Sequence, residues 1–487
     1  METDSQIHNP LASYNQPLIQ YQFDGDDIFV ISDLHMGAGL QTDGNYTGNE
    51  NFFADQSFSR FIEQLTAKAA GNKKLLVING DLVDFLRITD IPLTVEAIGQ
   101  WEQLLHAIGI SKSTDELKNS ISSKERKYGL KTDDYKSVWK LYVCAQGHPL
   151  FFASLAKWLS QGHKLIITKG NHDLEWYWPA VRNYMTLLLA EKITALSLRP
   201  LEDVLDEIVQ PNLLFVDDKI IINKKLYIEH GHRYEHFTAV DGPPVLKNQT
   251  ELNLPFGSFF NRYLINRVEL AYPYIDDVRP SENILPVLLR ERFPLAIKLL
   301  FNYVPFVLLV IPKRQYAYAF RYLFHFLWLI VLPIALMVAA FFIFNPVTIN
   351  FSTPTGILGM LFSALENIAT LILSYFLGRL FAMLKLSSPD SLYPNAQRAM
   401  EDHPETMIAT FGHTHDPEQK SSHTKRYYNT GTWIPVVESD AADVRLDKTY
   451  TFLWLTRDRN GDFGKTDLFR WNDDAERVDA LILMDRK

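Results

Sequence analysis

The sequence predicts an α/β fold for most of the chain, on three observations. Short apolar runs recur and end in polar residues, as the strands of a covered sheet do. These runs are 27–33, 74–81, 164–173, 225–232, 406–415, 426–433 and 450–458. Helical patterns separate them, such as 57–71, which has helical apolar spacing and ends at Gly71. The length of 487 residues, 47% of them apolar, is enough for a large core or two domains.

The domain organisation follows from where this alternation of strands and helices is interrupted. We expect an N-terminal tail over 1–25, whose polar start lacks the pattern of a signal peptide. An α/β domain then covers 26–236 and 401–487. Within it, 86–160 form a helical insert whose aromatic residues favour helix–helix packing over a substrate lid. A second insert, 237–400, is expected to be membrane-associated.

Charge and cysteine content exclude some partners. The formal net charge of -9 argues against a dedicated polyanion-binding surface, so we expect no nucleic acid partner. The single cysteine, Cys144, excludes an intrachain disulfide and fits a reducing compartment.

Two long apolar stretches in the second insert predict transmembrane helices near 322–344 and 356–384. Tyr322–Phe344 contains no Asp, Glu, Lys or Arg, and its 23 residues would cover roughly 30 Å as a helix. Basic residues lie outside the pair of stretches, which predicts cytoplasmic flanks and a short outer loop. We therefore expect a multi-pass membrane protein with two spans and a cytoplasmic catalytic domain. A buried helical hairpin or an apolar partner surface is the alternative.

One acidic residue interrupts the second stretch. A carboxylate at Glu366 is costly in a bilayer, so it should face the partner helix, a polar cavity or another subunit. The pairs Ala335/Ala339 and Gly359/Ser363 have the spacing of small residues that lets helices approach closely. A homodimer through the hairpin is consistent with that spacing.

Acids and imidazoles follow five of the predicted strands. The motifs are D-x-H (Asp33, His35), G-D-x-x-D (Asp81, Asp84), G-N-H-D (Asn171, His172, Asp173), H-G-H (His230, His232) and G-H-x-H (His413, His415). Strand ends that share one edge of a sheet bring their loops to a single crevice. Without cations, several carboxylates in one crevice would repel one another. The five motifs together therefore predict a metal site.

In these motifs the sequence resembles the calcineurin-like metallophosphoesterases, over roughly 26–235 and 404–470. The resemblance implies a four-layer α/β/β/α sandwich with a two-metal site, here interrupted by a helical insert with a transmembrane hairpin. It implies that the first metal binds Asp33, His35 and His415, that the second binds Asn171, His230 and His413, and that Asp81 bridges both. It also implies that His172 is the catalytic imidazole and that Asp84 orients it.

The chemistry of these residue types agrees with that assignment. Two divalent cations that share a carboxylate can activate a water between them for in-line attack on phosphorus. His172 lies next to a ligand without being one, so it can donate a proton to the leaving group. A set of Asp, Asn and His without Cys suits Mn, Fe or Zn, of which we favour Mn.

Other polar residues near the motifs have more than one interpretation. Arg233 can clamp a substrate phosphate or form a surface salt bridge. His232 is expected to hydrogen-bond near the ligands rather than bind metal. Asp173 can cap the following helix. The histidines that match no motif, His148, His163 and His423, are expected to be ordinary.

These features predict a membrane-anchored metallophosphoesterase that hydrolyses a lipid-linked phosphoester or pyrophosphate. UDP-diacylglucosamine hydrolases are similar at the metal motifs, although His232 stands where they commonly have an acid. One alternative is a tethered phosphatase or nucleotide phosphodiesterase for soluble substrates. The other is a non-enzymatic membrane module that retains metals for structure.

Overall fold

The computed structural model describes two compact units, Met1–Pro280 with Pro389–Lys487, and Ser281–Ser388. The described residues are 18–67, 72–235, 237–240, 242–247, 250–269, 284–298, 391–438, 443–444, 448–458 and 462–483, with the single positions 357, 368 and 372. Apart from those three positions, the predicted spans near 322–344 and 356–384 lie outside the described residues. Among the residues that are described, no helix has the length and hydropathy needed to cross a bilayer.

The described strands are, in chain order, β1 (Ile19–Tyr21), β2 (Asp27–Ile31), β3 (Lys74–Asn79), β4 (Lys164–Thr168), β5 (Leu213–Val216), β6 (Lys219–Ile222), β7 (Leu226–Glu229), β8 (Ile408–Phe411), β9 (Glu418–Ser422), β10 (Lys425–Asn429), β11 (Val437–Glu438), β12 (Asp443–Val444), β13 (Thr451–Arg457), β14 (Phe463–Asn472) and β15 (Arg477–Ala480). Seven of them form a mixed sheet in the order β15-β14-β13-β2-β3-β4-β5, and six form another in the order β1-β6-β7-β8-β10-β9. The two short strands β11 and β12 pair separately.

The described α-helices are α1 (Asp55–Ala67), α2 (Val95–Ala107), α3 (Thr114–Ser120), α4 (Glu125–Tyr128), α5 (Asp134–Gly147), α6 (Pro149–Ser160), α7 (Pro179–Ser197), α8 (Leu201–Val204), α9 (Phe256–Phe260), α10 (Asn266–Val268), α11 (Ile284–Glu291), α12 (Phe293–Lys298) and α13 (Tyr393–Asp402). Short 3-10 helices cover Leu174–Tyr177 and His232–Tyr234, and π-helical turns cover Leu205–Val209 and Asn261–Ile265. Of these elements, α11 and α12 belong to the second unit.

Both faces of the seven-stranded sheet are covered, as the continuous apolar runs predict. Phe29 and Ile31 of β2 join a cluster with α1, α6 and α7. The alternate residues Ile28 and Val30 join a second cluster with residues of the six-stranded sheet such as Ile228. Because side chains alternate along a strand, this division places one hydrophobic layer on each face. The result is a mixed α/β fold that is compatible with an α/β sandwich.

The six-stranded sheet is covered on its other face by α13. Ala396 and Met400 of this helix join one cluster with Tyr227 of β7 and Phe411 of β8. Residues 19–21, which the sequence assigns to an N-terminal tail, form β1 at the edge of this sheet. The short strand is held because it pairs in parallel with β6 and its apolar side chains pack on the inter-sheet cluster.

The helical insert packs against residues that the sequence assigns to the second insert. The described part 250–269 belongs to the first unit. The Arg262 guanidinium donates to the carbonyl of Gly129 at 2.6 Å. The Asn266 amide donates to the carbonyl of Leu86 at 2.8 Å. Such buried polar contacts fix 250–269 against the helical insert.

Candidate metal centre

The two sheets bring the predicted residues together at their strand ends. Seven of these residues, called here the candidate metal centre, are Asp33, His35, Asp81, Asn171, His230, His413 and His415. The first four follow β2, β3 and β4 of the seven-stranded sheet, and the other three follow β7 and β8 of the six-stranded sheet. All seven are buried. The crevice therefore draws on both sheets, rather than on one edge alone.

The backbone at this centre has an uncommon conformation. Asp33, His35, Asp81, His413 and His415 have φ values of 56°, 48°, 52°, 73° and 58°. Non-glycine residues rarely adopt such angles, and each can cost about 1–3 kcal/mol. Five such residues in one crevice indicate that the surrounding structure holds them in this conformation.

Two glycines beside the centre make room for ligands from other strands. A Cβ on Gly80 would lie 2.4 Å from Nδ1 of His230, and φ of Gly80 is +81°. A Cβ on Gly170 would lie 2.1 Å from Oδ1 of Asp81. Both distances are below 3.0 Å, and Cβ atoms essentially never approach another heavy atom that closely. These glycines therefore do more than form turns, because they permit the ligands to approach.

The first group of ligands contains Asp33, His35 and His415. The Nε2 atoms of His35 and His415 are 3.0 Å apart, and Nε2 of His415 is 3.3 Å from Oδ1 of Asp33. Ligand atoms that bind one transition-metal ion at about 2.0–2.2 Å lie about 3 Å from one another. The separations in this group fit a shared cation.

The second group contains Asp81, His230 and His413. Nε2 of His230 lies 3.0 Å from Oδ2 of Asp81. Among the described residues, Oδ1 of Asn171 is buried and has no hydrogen-bond partner. Nε2 of His230 is also buried and has no hydrogen-bond partner, although it lies close to Asp81. Buried polar atoms are rarely left unsatisfied. A cation beside Asp81 would satisfy these atoms, so the residues fit a metal ion.

Other residues fix the orientation of the histidine ligands. The carbonyl of Asn79 accepts a hydrogen bond from Nδ1 of His230 at 2.8 Å, which leaves Nε2 as the ligand atom. A carboxylate oxygen of Glu235 lies 3.0 Å from Nε2 of His413, which leaves Nδ1. Partners of this kind are usual for histidines that bind metal.

The acids and imidazoles of the centre shift one another's pKa. Burial raises the pKa of Asp33 and Asp81, but His230 and other imidazoles outweigh burial and hold both pKa values well below the usual range. Burial lowers the pKa of His35 and of His230, but the nearby carboxylates outweigh burial. They raise the pKa of His35 to about 10 and that of His230 to about 9. Protons therefore compete with any cation at these imidazoles.

A chain of buried hydrogen bonds leads from His172 into the core. Nδ1 of His172 lies 2.7 Å from Oδ2 of Asp84. The same oxygen accepts from Nε of Arg87 at 3.0 Å. Arg87 pairs in turn with Glu269 at 2.9 Å. The side chains of Asp84, Arg87 and Glu269 are at most 1% exposed, so these three side chains are shielded from water.

Asp173 has a different role from helix capping. Its side chain makes no capping bond to the following 3-10 helix. It accepts instead from the backbone N–H groups of Leu82 at 2.8 Å and Gly170 at 2.6 Å. Burial and the charge of Asp81 raise its pKa to about 7. Asp173 thus ties together the loops that carry Asp81 and Asn171.

The two residues expected near the substrate occupy different environments. His232 is buried, and its ring centroid lies 5.5 Å from that of His230. Arg233 pairs with Asp218 at 2.7 Å and with Glu229 at 2.7 Å. The Arg233 guanidinium therefore already has two carboxylate partners.

Sequence reasoning missed the residues that support the centre. Arg87 follows Asp84 by three positions, which is a signal that could have been read. Glu269 lies 182 positions from Arg87, and Glu235 lies 178 positions from His413, so no local pattern points to either.

No family model matches the chain, and no curated protein matches it. The buried groups of Asp and His could hold metal ions.

Proposed function

We propose that the protein is a metal-dependent hydrolase of phosphate esters, of the calcineurin-like metallophosphoesterase type. Among the described residues, three groups could hold a metal ion, and two of them, Asp33/His35/His415 and Asp81/His230/His413, carry this proposal. The third group, His35/Asp84/His172, contains the two residues to which the proposal gives a catalytic and an orienting role. The ligand atoms lie within 4.8 Å of one another in each group. The imidazole of His172, which contacts Asp84, lies beside the first two groups. Its ring centroid is 4.6 Å from that of His35.

The residues fit two divalent cations, with Mn favoured by the mixture of imidazole and oxygen ligands. Asp33, His35 and His415 would hold one cation, Asn171, His230 and His413 would hold the other, and Asp81 would bridge them. When bound, such cations lower the pKa of a nearby water and neutralise charge on phosphoryl oxygens. Asn171 contributes a neutral oxygen, which limits the negative charge of the ligand set.

His172 supplies the proton in this proposal. Asp84 engages Nδ1 of the ring, so Nε2 is the atom that can hold a proton for the leaving group. Burial lowers the pKa of His172, but the Asp84 and Asp81 carboxylates outweigh burial and raise it. A raised pKa favours the protonated form of the imidazole, which is the form that a general acid requires. Arg87 and Glu269 hold Asp84 in place.

Hydrolysis of bis(p-nitrophenyl) phosphate by the purified full chain tests this proposal. We expect turnover with Mn, loss of turnover on chelation and recovery when Mn is restored. His172→Ala should lower kcat by about 10²–10⁴-fold while Mn content is unchanged. His106→Ala, an exposed histidine on α2, is the matched control and should keep wild-type kcat. Metal-loaded protein that cleaves no phosphomonoester or phosphodiester would contradict the proposal.

A membrane anchor and a lipid-linked substrate are part of the same proposal. The uncharged stretch Tyr322–Phe344 supports the anchor. If the substrate is lipid-linked, kcat/KM for lipid phosphoesters in micelles should exceed that for soluble ones. Equal or lower values would favour a tethered phosphatase for soluble substrates, and replacing 315–390 by a short linker would then preserve turnover.

A further inference from the structure

A buried ion pair joins the helical insert to the segment 171–178, called here the His172 loop. Lys140 lies on α5, and Glu175 lies on the 3-10 helix Leu174–Tyr177, which begins two residues after His172. Nζ of Lys140 is 3.6 Å from Oε1 of Glu175, and both side chains are 1% exposed. The insert therefore contacts the His172 loop through two charges that are shielded from water.

These two charges depend on each other. Among the described residues, only Lys140 lies within ion-pair distance of Glu175, and Oε1 of Glu175 accepts no hydrogen bond. Burial lowers the pKa of Lys140 and raises that of Glu175, while the charge of each residue opposes the shift of the other. The Arg262 guanidinium also favours the charged form of Glu175. Its hydrogen bonds, however, go to the carbonyls of Gly129 and Leu130.

The geometry of this pair makes it a weak source of stability. Removing two charges from water is costly, and their attraction offsets that cost only where the contact is close and the remaining polar atoms are hydrogen-bonded. The contact of Lys140 with Glu175 does not meet these conditions. Lys136 on the same helix does, since its ammonium lies 2.6 Å from Glu125 and donates to the carbonyl of Ser120 at 3.0 Å. The place of the Lys140–Glu175 pair therefore explains it better than any stability it adds.

The His172 loop is held on both sides of Glu175. The carbonyl of His172 accepts from the backbone N–H of Phe85 at 3.3 Å. At the other end, Nε1 of Trp178 donates to the carbonyl of Thr132 in the helical insert at 2.8 Å. Glu175 follows His172 by only three residues, so a displacement of Glu175 is passed to the backbone that carries the imidazole. A charge that holds Glu175 thus also holds His172.

We infer that Lys140 is a positioning residue for the proposed reaction, because through Glu175 it holds the His172 loop where the imidazole reaches the leaving group. This inference rests on the proposed function. In the step concerned, water attacks phosphorus and the P–O bond to the leaving group breaks with its electron pair on oxygen. Nε2 of His172 gives its proton to that oxygen. The helical insert thereby takes part in the reaction, beyond the helix–helix packing that its aromatic residues predict.

Two methyl aryl phosphate diesters that differ only in their leaving group test the inference. p-Nitrophenoxide leaves readily without a proton, whereas phenoxide is the stronger base and gains more from a general acid. In the Mn-loaded full chain, Lys140→Met should lower kcat for methyl phenyl phosphate by about 10–100-fold, a part of the effect of a general acid. The loss for methyl p-nitrophenyl phosphate should be much smaller. KM and Mn content should stay at wild-type values.

A second lysine of α5 provides the matched control. Lys136→Met breaks another buried lysine–glutamate pair of this helix, whose acidic partner Glu125 belongs to α4. We expect this variant to lower Tm, because it leaves a buried carboxylate without its counter-charge. Its kcat for both esters should equal that of the wild-type protein, since the His172 loop keeps its contact with Lys140.

Two further variants separate positioning of His172 from a general effect on folding. Lys140→Met combined with Glu175→Gln leaves no unpaired charge, so it should fold even where Lys140→Met does not. It should show the same selective loss for methyl phenyl phosphate. In a His172→Ala background there is no imidazole left to position. Lys140→Met should therefore cause no further loss of kcat for this ester.

The inference is overturned by an equal loss of kcat for both esters in Lys140→Met, by wild-type kcat for methyl phenyl phosphate in the variant that lacks both charges, or by a further loss in the His172→Ala background. Wild-type protein that cleaves only the p-nitrophenyl ester overturns it as well, because no proton donation is then left to position. In each of these cases phosphoester hydrolysis itself stands. If the wild-type protein cleaves no phosphoester, the proposed function fails too.

Discussion

At the scale of single residues, Asp84 links the imidazole of His172 to the core. Its Oδ2 atom accepts from both His172 and Arg87, at 2.7 and 3.0 Å. Burial raises the pKa of Asp84, but the imidazoles of His172 and His35, together with the guanidinium of Arg87, outweigh burial and hold this pKa well below its usual range. The carboxylate therefore stays charged and keeps His172 in one orientation.

The Asp84→Asn variant should show whether Asp84 acts by orienting His172 or by supporting metal binding. The amide has the shape of the carboxylate but lacks its charge, so Nδ1 of His172 loses its strongest acceptor. We expect kcat for bis(p-nitrophenyl) phosphate to fall by about 10²–10⁴-fold, with Mn content as in the wild-type protein. Asp115→Asn, at an exposed position of α3, is the control. Wild-type kcat in Asp84→Asn would exclude a role for this carboxylate.

At the scale of secondary-structure elements, a buried ion pair fastens the loop that follows β2. Glu50 accepts from the backbone N–H groups of Gly37 at 3.0 Å and Gly39 at 2.6 Å. Nε2 of His148, at the junction of α5 and α6, lies 3.3 Å from Glu50, and its Nδ1 lies 2.9 Å from Asp55 of α1. The loop begins beside Asp33 and His35, so this contact supports the metal centre indirectly.

The environment of His148 predicts that the free energy of unfolding depends on pH. Burial lowers the pKa of this imidazole, but Asp55 and Glu50 outweigh burial and raise it from 6.5 to about 9. A raised folded-state pKa stabilises the protein fully below the unfolded-state pKa, and this stabilisation is lost as pH rises through about 9. The loss across that window is on the order of 3 kcal/mol.

His148→Gln removes the titrating group and checks this prediction. The difference in free energy of unfolding between wild type and His148→Gln should shrink between pH 6.5 and 9. Chemical denaturation at several pH values measures it. The control variant His106→Gln, at an exposed position, should show no such change of the stability difference with pH. A difference that stays constant or grows with pH would show that His148 is not charged in the folded protein.

The sequence predicts some of these elements well and others poorly, for physical reasons. β2, β3 and β4 are continuous apolar runs that end at turn-forming residues, so their ends and the polar residues that follow could be read locally. β1 has three residues, too few for a pattern, and depends on pairing with β6. The contact of Arg87 with Glu269 depends on the packing of distant segments, which no local spacing encodes.

At the scale of the whole molecule, the candidate metal centre lies where the two sheets meet. Asp33, His35 and Asp81 come from the seven-stranded sheet, whereas His230 and His413 come from the six-stranded sheet. The backbone N–H of His413 also donates to Oδ2 of Asp33 at 3.0 Å. A cation held by both sets of ligands would therefore join the sheets.

Metal binding should stabilise the first unit as a consequence. A ligand that binds only the folded state at 100 times its Kd adds about 2.7 kcal/mol. We expect Mn to raise Tm by several degrees and a chelator to reverse the effect. His413→Ala should reduce the Mn-dependent rise, while His423→Ala, at an exposed position, should keep it. The same Tm with and without Mn would mean that no cation joins the sheets.

Metal stoichiometry tests the central claim most directly. Elemental analysis of the full chain, after loading with Mn and dialysis, should give two ions per chain. Asp81→Asn removes the charge of the proposed bridging residue and should lower the number of ions per chain. Wild-type protein is measured in parallel. No bound metal in the wild-type protein, or two ions in both proteins, would contradict a two-cation centre built around Asp81.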